Sequence, residues 1–311
     1  MALDAHEVEA ADGTRIRLWE VPRDDTDTAT LFVHGATYPG LAAFGPPGSP
    51  DSWLAQAADN GTAAFAVDLR GYGDSERPAS FDADSTAPET VPSRAAAAAT
   101  DVEAALDRIR ERFERVHLVG YSWGSIVCGR HLTGSGGSVA SLTQFAPVYR
   151  PAAEKAARWA PGEPPSPARR VTRAEARQRW DRQFPDGDDP SKYRPDGAFE
   201  SFWDALADSG QSVPDADEPT ISAPNGTLLD LVAAANGDPV YDAADISVPT
   251  LVVRGSLDPT ATRKDALTLY DELGCGDDRE YVEIAGGTHF MPLERRHGAL
   301  FEAVAGFQKW C

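Results

Sequence analysis

Gly120-Tyr121-Ser122-Trp123-Gly124 sets a serine between two glycines, with apolar residues 116–119 ahead of it and helix-compatible residues 125–132 behind. A strand that turns sharply into a helix holds such a serine in strained backbone geometry, and the glycines remove Cβ atoms that would block the turn. Its hydroxyl then stands out over the edge of a sheet. A serine hydroxyl is a poor nucleophile near neutral pH and needs a base to take its proton as the new bond forms. The chemistry this arrangement serves is acyl transfer, given a histidine, an acid to orient it and N–H donors for the oxyanion.

The chain offers each of these. Residues 250–254 read as an apolar strand running into Gly255-Ser256-Leu257-Asp258-Pro259, a turn that puts Asp258 just past the strand's carboxyl end. Asp74, Asp230 and Asp242 compete by residue type, but only Asp258 follows a late apolar strand at a turn. Residues 281–284 form another strand, which opens into Ala285-Gly286-Gly287-Thr288-His289-Phe290 and so carries a histidine on a glycine loop. His6, His117 and His131 are read as structural, His34 as shaping a loop, and His297 as a solvent-facing residue of the last helix. Upstream, 30–33 lead into His34-Gly35-Ala36-Thr37-Tyr38-Pro39-Gly40, a loop able to aim a backbone N–H at a developing oxyanion.

With the order Ser, Asp, His, the chain resembles the α/β-hydrolase superfamily over nearly its whole length. Phe65-Ala66-Val67-Asp68-Leu69-Arg70-Gly71-Tyr72-Gly73-Asp74-Ser75 is similar to that superfamily's fourth strand and the glycine turn after it. The resemblance implies Ser122 as nucleophile, His289 as general base and acid, and Asp258 as orienting carboxylate. It implies an oxyanion hole from the backbone N–H of Trp123 and that of Ala36 or Thr37. It also implies an α/β fold in which a mostly parallel eight-stranded sheet carries helices on both faces and a helical cap inserted after strand six.

Strands are expected at 7–10, 16–21, 30–33, 63–67, 116–119, 142–145, 250–254 and 281–284. Val102, Ala105, Leu106, Ile109 and Phe113 recur at helical spacing with charged residues between them, so a helix there packs on one sheet face. Alternation of strand and helix breaks from about 148 to 242, a stretch rich in Pro, Asp and aromatic residues. The division read from this is a core of 1–147 and 243–311 with a cap at 148–242, carrying helices at 173–184 and 198–207. Tyr38, Trp123, Trp180, Trp203, Phe290 and Met291 are the candidates to line an acyl or alcohol pocket. Arg150, Arg158, Arg169, Arg170, Arg173, Arg177, Arg179 and Arg182 crowd the same insertion. Most are expected to be solvated or paired with acids; one facing the pocket would bind a substrate carboxylate.

The 311 residues carry a formal charge of −20, with lysine only at 155, 192, 264 and 309. Such a surface repels nucleic acid and anionic membranes, which both need a concentrated positive field. It suits a protein kept soluble in concentrated salt, where screening removes the self-repulsion. Cys128, Cys275 and Cys311 imply no disulfide framework. The first residues lack a basic and then apolar leader, and no stretch reaches membrane-spanning length, so a cytoplasmic enzyme is expected. Metal-ligand spacing and a phosphate loop with a Walker lysine are missing, so neither metal nor cofactor is expected.

Among serine hydrolases the leading reading is cleavage of a small carboxylic ester. Serine in the nucleophile position disfavours the reactions of epoxide hydrolases and haloalkane dehalogenases of this fold, which carry Asp there. The elbow is also similar to that of proline iminopeptidases, although His34-Gly35-Ala36-Thr37 lacks their His-Gly-Gly-Pro run. Carbon–carbon bond hydrolases, lactonases and perhydrolases share the triad. A small-molecule receptor of the same fold with slow turnover is the reading from a different class.

Overall fold

The structure is a computed structural model that describes residues 3–46, 49, 51–82, 87, 90–134, 139–163 and 165–311. Its strands are β1 (Asp4–Glu9), β2 (Arg15–Val21), β3 (Thr28–Val33), β4 (Ala63–Asp68), β5 (Arg115–Tyr121), β6 (Ser141–Phe145), β7 (Ala168–Thr172), β8 (Thr220–Pro224), β9 (Thr250–Gly255) and β10 (Arg279–Ile284). The helices are α1 (Gly40–Phe44), α2 (Trp53–Asp59), α3 (Ala95–Arg110), α4 (Trp123–Gly134), α5 (Lys155–Trp159), α6 (Arg173–Asp181), α7 (Ala198–Ala207), α8 (Gly226–Ala235), α9 (Arg263–Glu272) and α10 (His297–Trp310).

Eight strands form one sheet in the order β1-β2-β4-β3-β5-β6-β9-β10, antiparallel at β1-β2 and β2-β4 and parallel elsewhere. Every residue of β4, β6 and β9 is buried, as expected of strands covered on both faces. Alternate residues serve opposite layers. Leu31 and Val33 join Leu118, Val102, Ala105, Ile126 and Leu269 in one core, while Phe32 and Val119 join Trp53, Leu54, Phe301 and Val304 in the other. Burying these apolar faces against helices is what closes the sheet from water.

The chain leaves β3, adds β4 on one side of it and then crosses through α3 to add β5 on the other. That reversal is a topological switch point, and the crevice at the carboxyl ends of the strands there is where open α/β sheets bind ligands. Val33 pairs with Gly120, so the loop after β3 and the turn after β5 emerge abreast.

Between β6 and β9 the chain leaves the sheet. Here α5 to α8 and the antiparallel pair β7-β8 form a separate layer whose aromatic cluster, Trp180, Phe184, Phe199, Phe202 and Trp203, closes on Tyr38 and Phe290 of the core. A capping box starts α6: Thr172 accepts the Glu175 N–H at 3.1 Å and Glu175 accepts the Thr172 N–H at 2.9 Å. The helix expected over 173–184 stops at Asp181, since Phe184 precedes Pro185 and a residue before proline is pushed out of helical geometry.

Candidate active site

The elbow forms as its sequence demands. Ser122 has φ of 56°, a left-handed conformation that costs a residue with a Cβ and persists only where the surroundings impose it. Its N–H is fixed to the Phe145 carbonyl at 2.9 Å, and α4 begins at the next residue. Gly124 lies so close to β3 that a Cβ there would fall 2.3 Å from the Val33 carbonyl oxygen. The glycine therefore lets the elbow press against the loop carrying His34.

Three side chains line up across three loops. His289 Nε2 lies 3.1 Å from Ser122 Oγ, and its Nδ1 lies 2.7 Å from Asp258 Oδ2. All three residues are buried. The Asp258 carboxylate is itself held, since Oδ1 accepts the N–H groups of Thr260 at 2.7 Å and Ala261 at 3.0 Å. Tyr121 Oη donates to the His289 carbonyl at 2.7 Å and fixes the backbone from which the imidazole hangs.

The loop after β3 is shaped by His34. Its Nε2 accepts the Leu69 N–H at 3.1 Å, which leaves Nδ1–H to donate to the Gly35 carbonyl at 2.8 Å. Burial pushes its pKa down to about 4, so the ring is neutral and keeps this tautomer. With the Gly35 carbonyl turned to His34, the trans peptide turns the Ala36 N–H the opposite way. The Thr37 N–H is engaged by Tyr72 Oη at 3.4 Å, whereas among the described residues the N–H groups of Ala36 and Trp123 have no protein acceptor. Of the two donors expected on this loop, Ala36 is thus the one left free.

The cavity beside Ser122 and His289 is bordered by Ala36, Tyr38, Tyr121, Arg179 and Phe290 and measures about 10 Å3, room for about one water. Larger clefts of about 270 Å3 beside Trp53 and Phe301 and about 800 Å3 on the outer side of α6 do not reach Ser122.

Of the pocket residues expected from sequence, Tyr38 and Phe290 border this cavity and the others do not. Trp180 and Trp203 pack inside the aromatic cluster, Trp180 stacked on Phe290 with ring centroids 5.0 Å apart. Met291 is buried in the core with Val253 and Leu300. The Trp123 indole is fully buried and donates Nε1–H to Asp230 Oδ2 at 3.0 Å, so its side chain lies in the core under α8 instead of in the cavity. Sequence reasoning did not single out Tyr121, although it sits inside the elbow motif. Nor did it separate Arg179 from the other arginines of the insertion, because spacing alone does not say which one turns inward. Among the described residues no group of three or more His, Cys, Asp or Glu is placed to hold a metal, and no helix is long and apolar enough to cross a membrane.

The sheet order and the sharp strand-to-helix turn at Ser122 are those of the α/β-hydrolase fold. The sequence matches the Alpha/beta hydrolase family over residues 30–303, and the chain belongs to that family. Comparison with curated protein sequences yields no match. Solved structures share the fold at low identity. An esterase from Exiguobacterium antarcticum superposes with a TM-score of 0.68 at 16% identity, covering 98% of this chain and 100% of its own. E-2-(acetamidomethylene)succinate hydrolase gives 0.68 at 17% identity over 99% and 100%. Epoxide hydrolase VrEH1 from Vigna radiata gives 0.69 at 16% identity over 99% and 98%.

Proposed function

We propose that this hydrolase cleaves a small carboxylic ester or related acyl substrate through an acyl-enzyme on Ser122. The observation that carries this is the continuous hydrogen-bonded path from Asp258 Oδ2 through His289 to Ser122 Oγ, with links of 2.7 and 3.1 Å. Ser122 Oγ attacks the substrate carbonyl carbon as its proton passes to His289 Nε2. Asp258 holds Nδ1–H and stabilises the imidazolium. The oxyanion that develops accepts hydrogen bonds from the Ala36 and Trp123 N–H groups, each worth about 3 to 4 kcal/mol in the transition state. His289 then gives its proton to the leaving oxygen, and water enters, activated by the same nitrogen, to release the acid and restore Ser122.

The segment between β6 and β9 acts as a cap. Its aromatic cluster rests on Tyr38 and Phe290, which follow the oxyanion loop and the catalytic histidine. With room for about one water at Ser122, admission of substrate requires this layer to part from the core. A closed, dry site strengthens every hydrogen bond made to the oxyanion.

The test is hydrolysis of p-nitrophenyl acetate, butyrate and octanoate at low and molar salt by the native protein and by Ser122→Ala. Many turnovers with an acyl-enzyme burst, abolished by the substitution, are the expected result. A folded protein that binds small acyl compounds tightly without turnover would instead make it a receptor.

A further inference from the structure

Two arginines of the cap converge on one hydroxyl beside the oxyanion loop. Arg169 Nη2 donates to Thr37 Oγ1 at 2.6 Å, and Arg179 Nη1 donates to the same oxygen at 3.1 Å. Arg169 also donates to the Pro224 carbonyl at 2.6 Å and to Asn225 Oδ1 at 3.1 Å and is hydrogen-bonded to the Tyr72 hydroxyl, all neutral groups. Among the described residues no carboxylate lies within ion-pair distance of either guanidinium. By contrast, Arg173, Arg177, Arg194 and Arg150 of the same segment each have an acidic partner.

This is an unusual place to leave two cations without an acid. The protein carries 49 acidic residues against 29 basic ones, so carboxylates are not scarce. Burial and the nearby Arg179 charge both work against the Arg169 cation, yet a guanidinium stays charged at neutral pH. Arg169 is half-buried and Arg179 open to solvent, so the pair presents positive charge that the fold leaves without a carboxylate and that a ligand anion can reach.

A third group faces the same space. Tyr38 borders the cavity at Ser122 and is 6% exposed; its Oη is buried with no acceptor for its O–H, since the Arg179 guanidinium beside it can only donate. The Arg179 guanidinium carbon stands 5.7 Å from the Tyr38 ring centroid, and Arg179 itself borders the cavity. Thr37 is one residue from Ala36, the candidate oxyanion donor, and consecutive Cα atoms are about 3.8 Å apart. An anion held here lies within a few bonds of the carbonyl being attacked.

We propose that Arg169, Arg179 and Tyr38 form a carboxylate subsite, and that the natural substrate is a small acyl compound bearing an acid group a few carbons from its scissile carbonyl. This deepens the acyl-enzyme reading and rests on it for the position of the scissile bond. Arg179, on the solvent side, meets the acid with paired N–H donors, Arg169 supplies fixed positive charge beneath it, and the Tyr38 hydroxyl donates the hydrogen bond it now lacks. Thr37 Oγ1 holds the two guanidinium groups in place until the ligand arrives.

Binding can be read without turnover. Glutarate titrated into the Ser122→Ala protein at constant ionic strength should raise the melting temperature saturably. Pentanol should not, and the shift should vanish in Ser122→Ala with Arg179→Gln. No shift, or one that survives Arg179→Gln, overturns the subsite. With Ser122 intact, monoethyl glutarate and ethyl pentanoate differ only by carboxylate against methyl. The kcat/KM ratio should favour the acid at least tenfold, fall at least tenfold in Arg179→Gln, and recover in part in Arg179→Lys. A ratio near one, or one unchanged by Arg179→Gln, also overturns it. Hydrolysis persisting in Ser122→Ala overturns the acyl-enzyme reading instead, while a glutarate shift lost with Arg179 still supports the anion site.

Discussion

Trp123 Nε1 donates to Asp230 Oδ2 at 3.0 Å, tying the residue after Ser122 to helix α8 of the segment between β6 and β9. The same carboxylate accepts the Ala95 N–H at 2.7 Å at the start of α3 and pairs with Arg94 at 2.6 Å. One buried acid therefore joins the elbow, the helix that crosses from β4 to β5, and the segment above them. The segment between β6 and β9 is held to the rest of the chain by this charge network and by the aromatic contacts of Trp180 with Phe290 and of Phe202 with Tyr38.

Asp230→Ala should therefore cost stability more than any exposed acid. It strands the Trp123 indole N–H and the Ala95 N–H in the interior and leaves Arg94 without its counter-ion. Loss of a buried, multiply bonded carboxylate costs about 3 to 5 kcal/mol. Denaturant melts of the native and Asp230→Ala proteins check this, and a difference below about 1 kcal/mol would show that the three elements do not depend on the link.

Gly35→Ala separates stability from catalysis. A Cβ at Gly35 would lie 2.9 Å from Ser122 Cβ and 3.4 Å from Ser122 Oγ, so Ser122 or the loop must shift. A displacement of a few tenths of an ångström disturbs both the 3.1 Å contact with His289 and the aim of the Ala36 N–H. The expected outcome is a fall in kcat of at least tenfold with a melting temperature that moves far less. Equal kcat in the two proteins would mean that the loop gives way without moving the donors.

Much of this was legible because the signals were local. All eight sheet strands fell within a few residues of their expected positions, since runs such as 63–67 and 251–253 are buried on both faces and apolar throughout. The glycines around Ser122 and the loops holding Asp258 and His289 carry their chemistry in sequence order. The segment between β6 and β9 is different. Strand β7 reads Ala-Arg-Arg-Val-Thr and pairs with β8 far along the chain, so neither apolar run nor turn announced it. Trp180 and Trp203 looked like pocket residues because their type suits one, yet an aromatic layer resting on the core needs the same type. Which arginine turns toward Ser122 depends on the angle at which α6 meets the core, and no local pattern encodes that.

Glu294 gives a pH dependence with a definite sign. Its Oε1 accepts Trp180 Nε1–H at 2.8 Å and Thr288 Oγ1–H at 2.7 Å, Oε2 has no partner, and burial raises its pKa from 4.5 to about 7. The folded state thus binds this proton more tightly than the unfolded chain. Its contribution to stability is fully present below about 4.5 and lost as pH rises through about 7. Burial raises Asp68 and Asp265 to about 6, which adds to the same slope. His34 and His117, lowered by burial from 6.5 to about 4, give the opposite slope below about 6.5, so the quantity to read is the difference: in molar salt, from pH 5 to 7.5, the melting temperature of the native protein should fall relative to that of Glu294→Gln. Parallel curves would mean that Glu294 does not titrate in the fold.

The charge of −20 predicts the response to salt. Exposed like charges repel over about 10 Å at 0.1 M salt and over only about 3 Å at 1 M, so added salt relieves the folded state of self-repulsion. The opposing effect is weaker, because salt also screens surface pairs such as Arg15–Glu76, each worth under about 1 kcal/mol. Buried pairs such as Arg70–Asp101 are largely shielded from it. A net gain of about 3 kcal/mol corresponds to a rise of about 5 °C in melting temperature for a protein of this size. Potassium chloride is the salt to use, since sulfate stabilises most proteins by exclusion from their surface whatever their charge. A melting temperature that stays level from 0.05 to about 1 M potassium chloride would mean that the acidic surface is tolerated without screening, and the link between this composition and a saline habitat would fall.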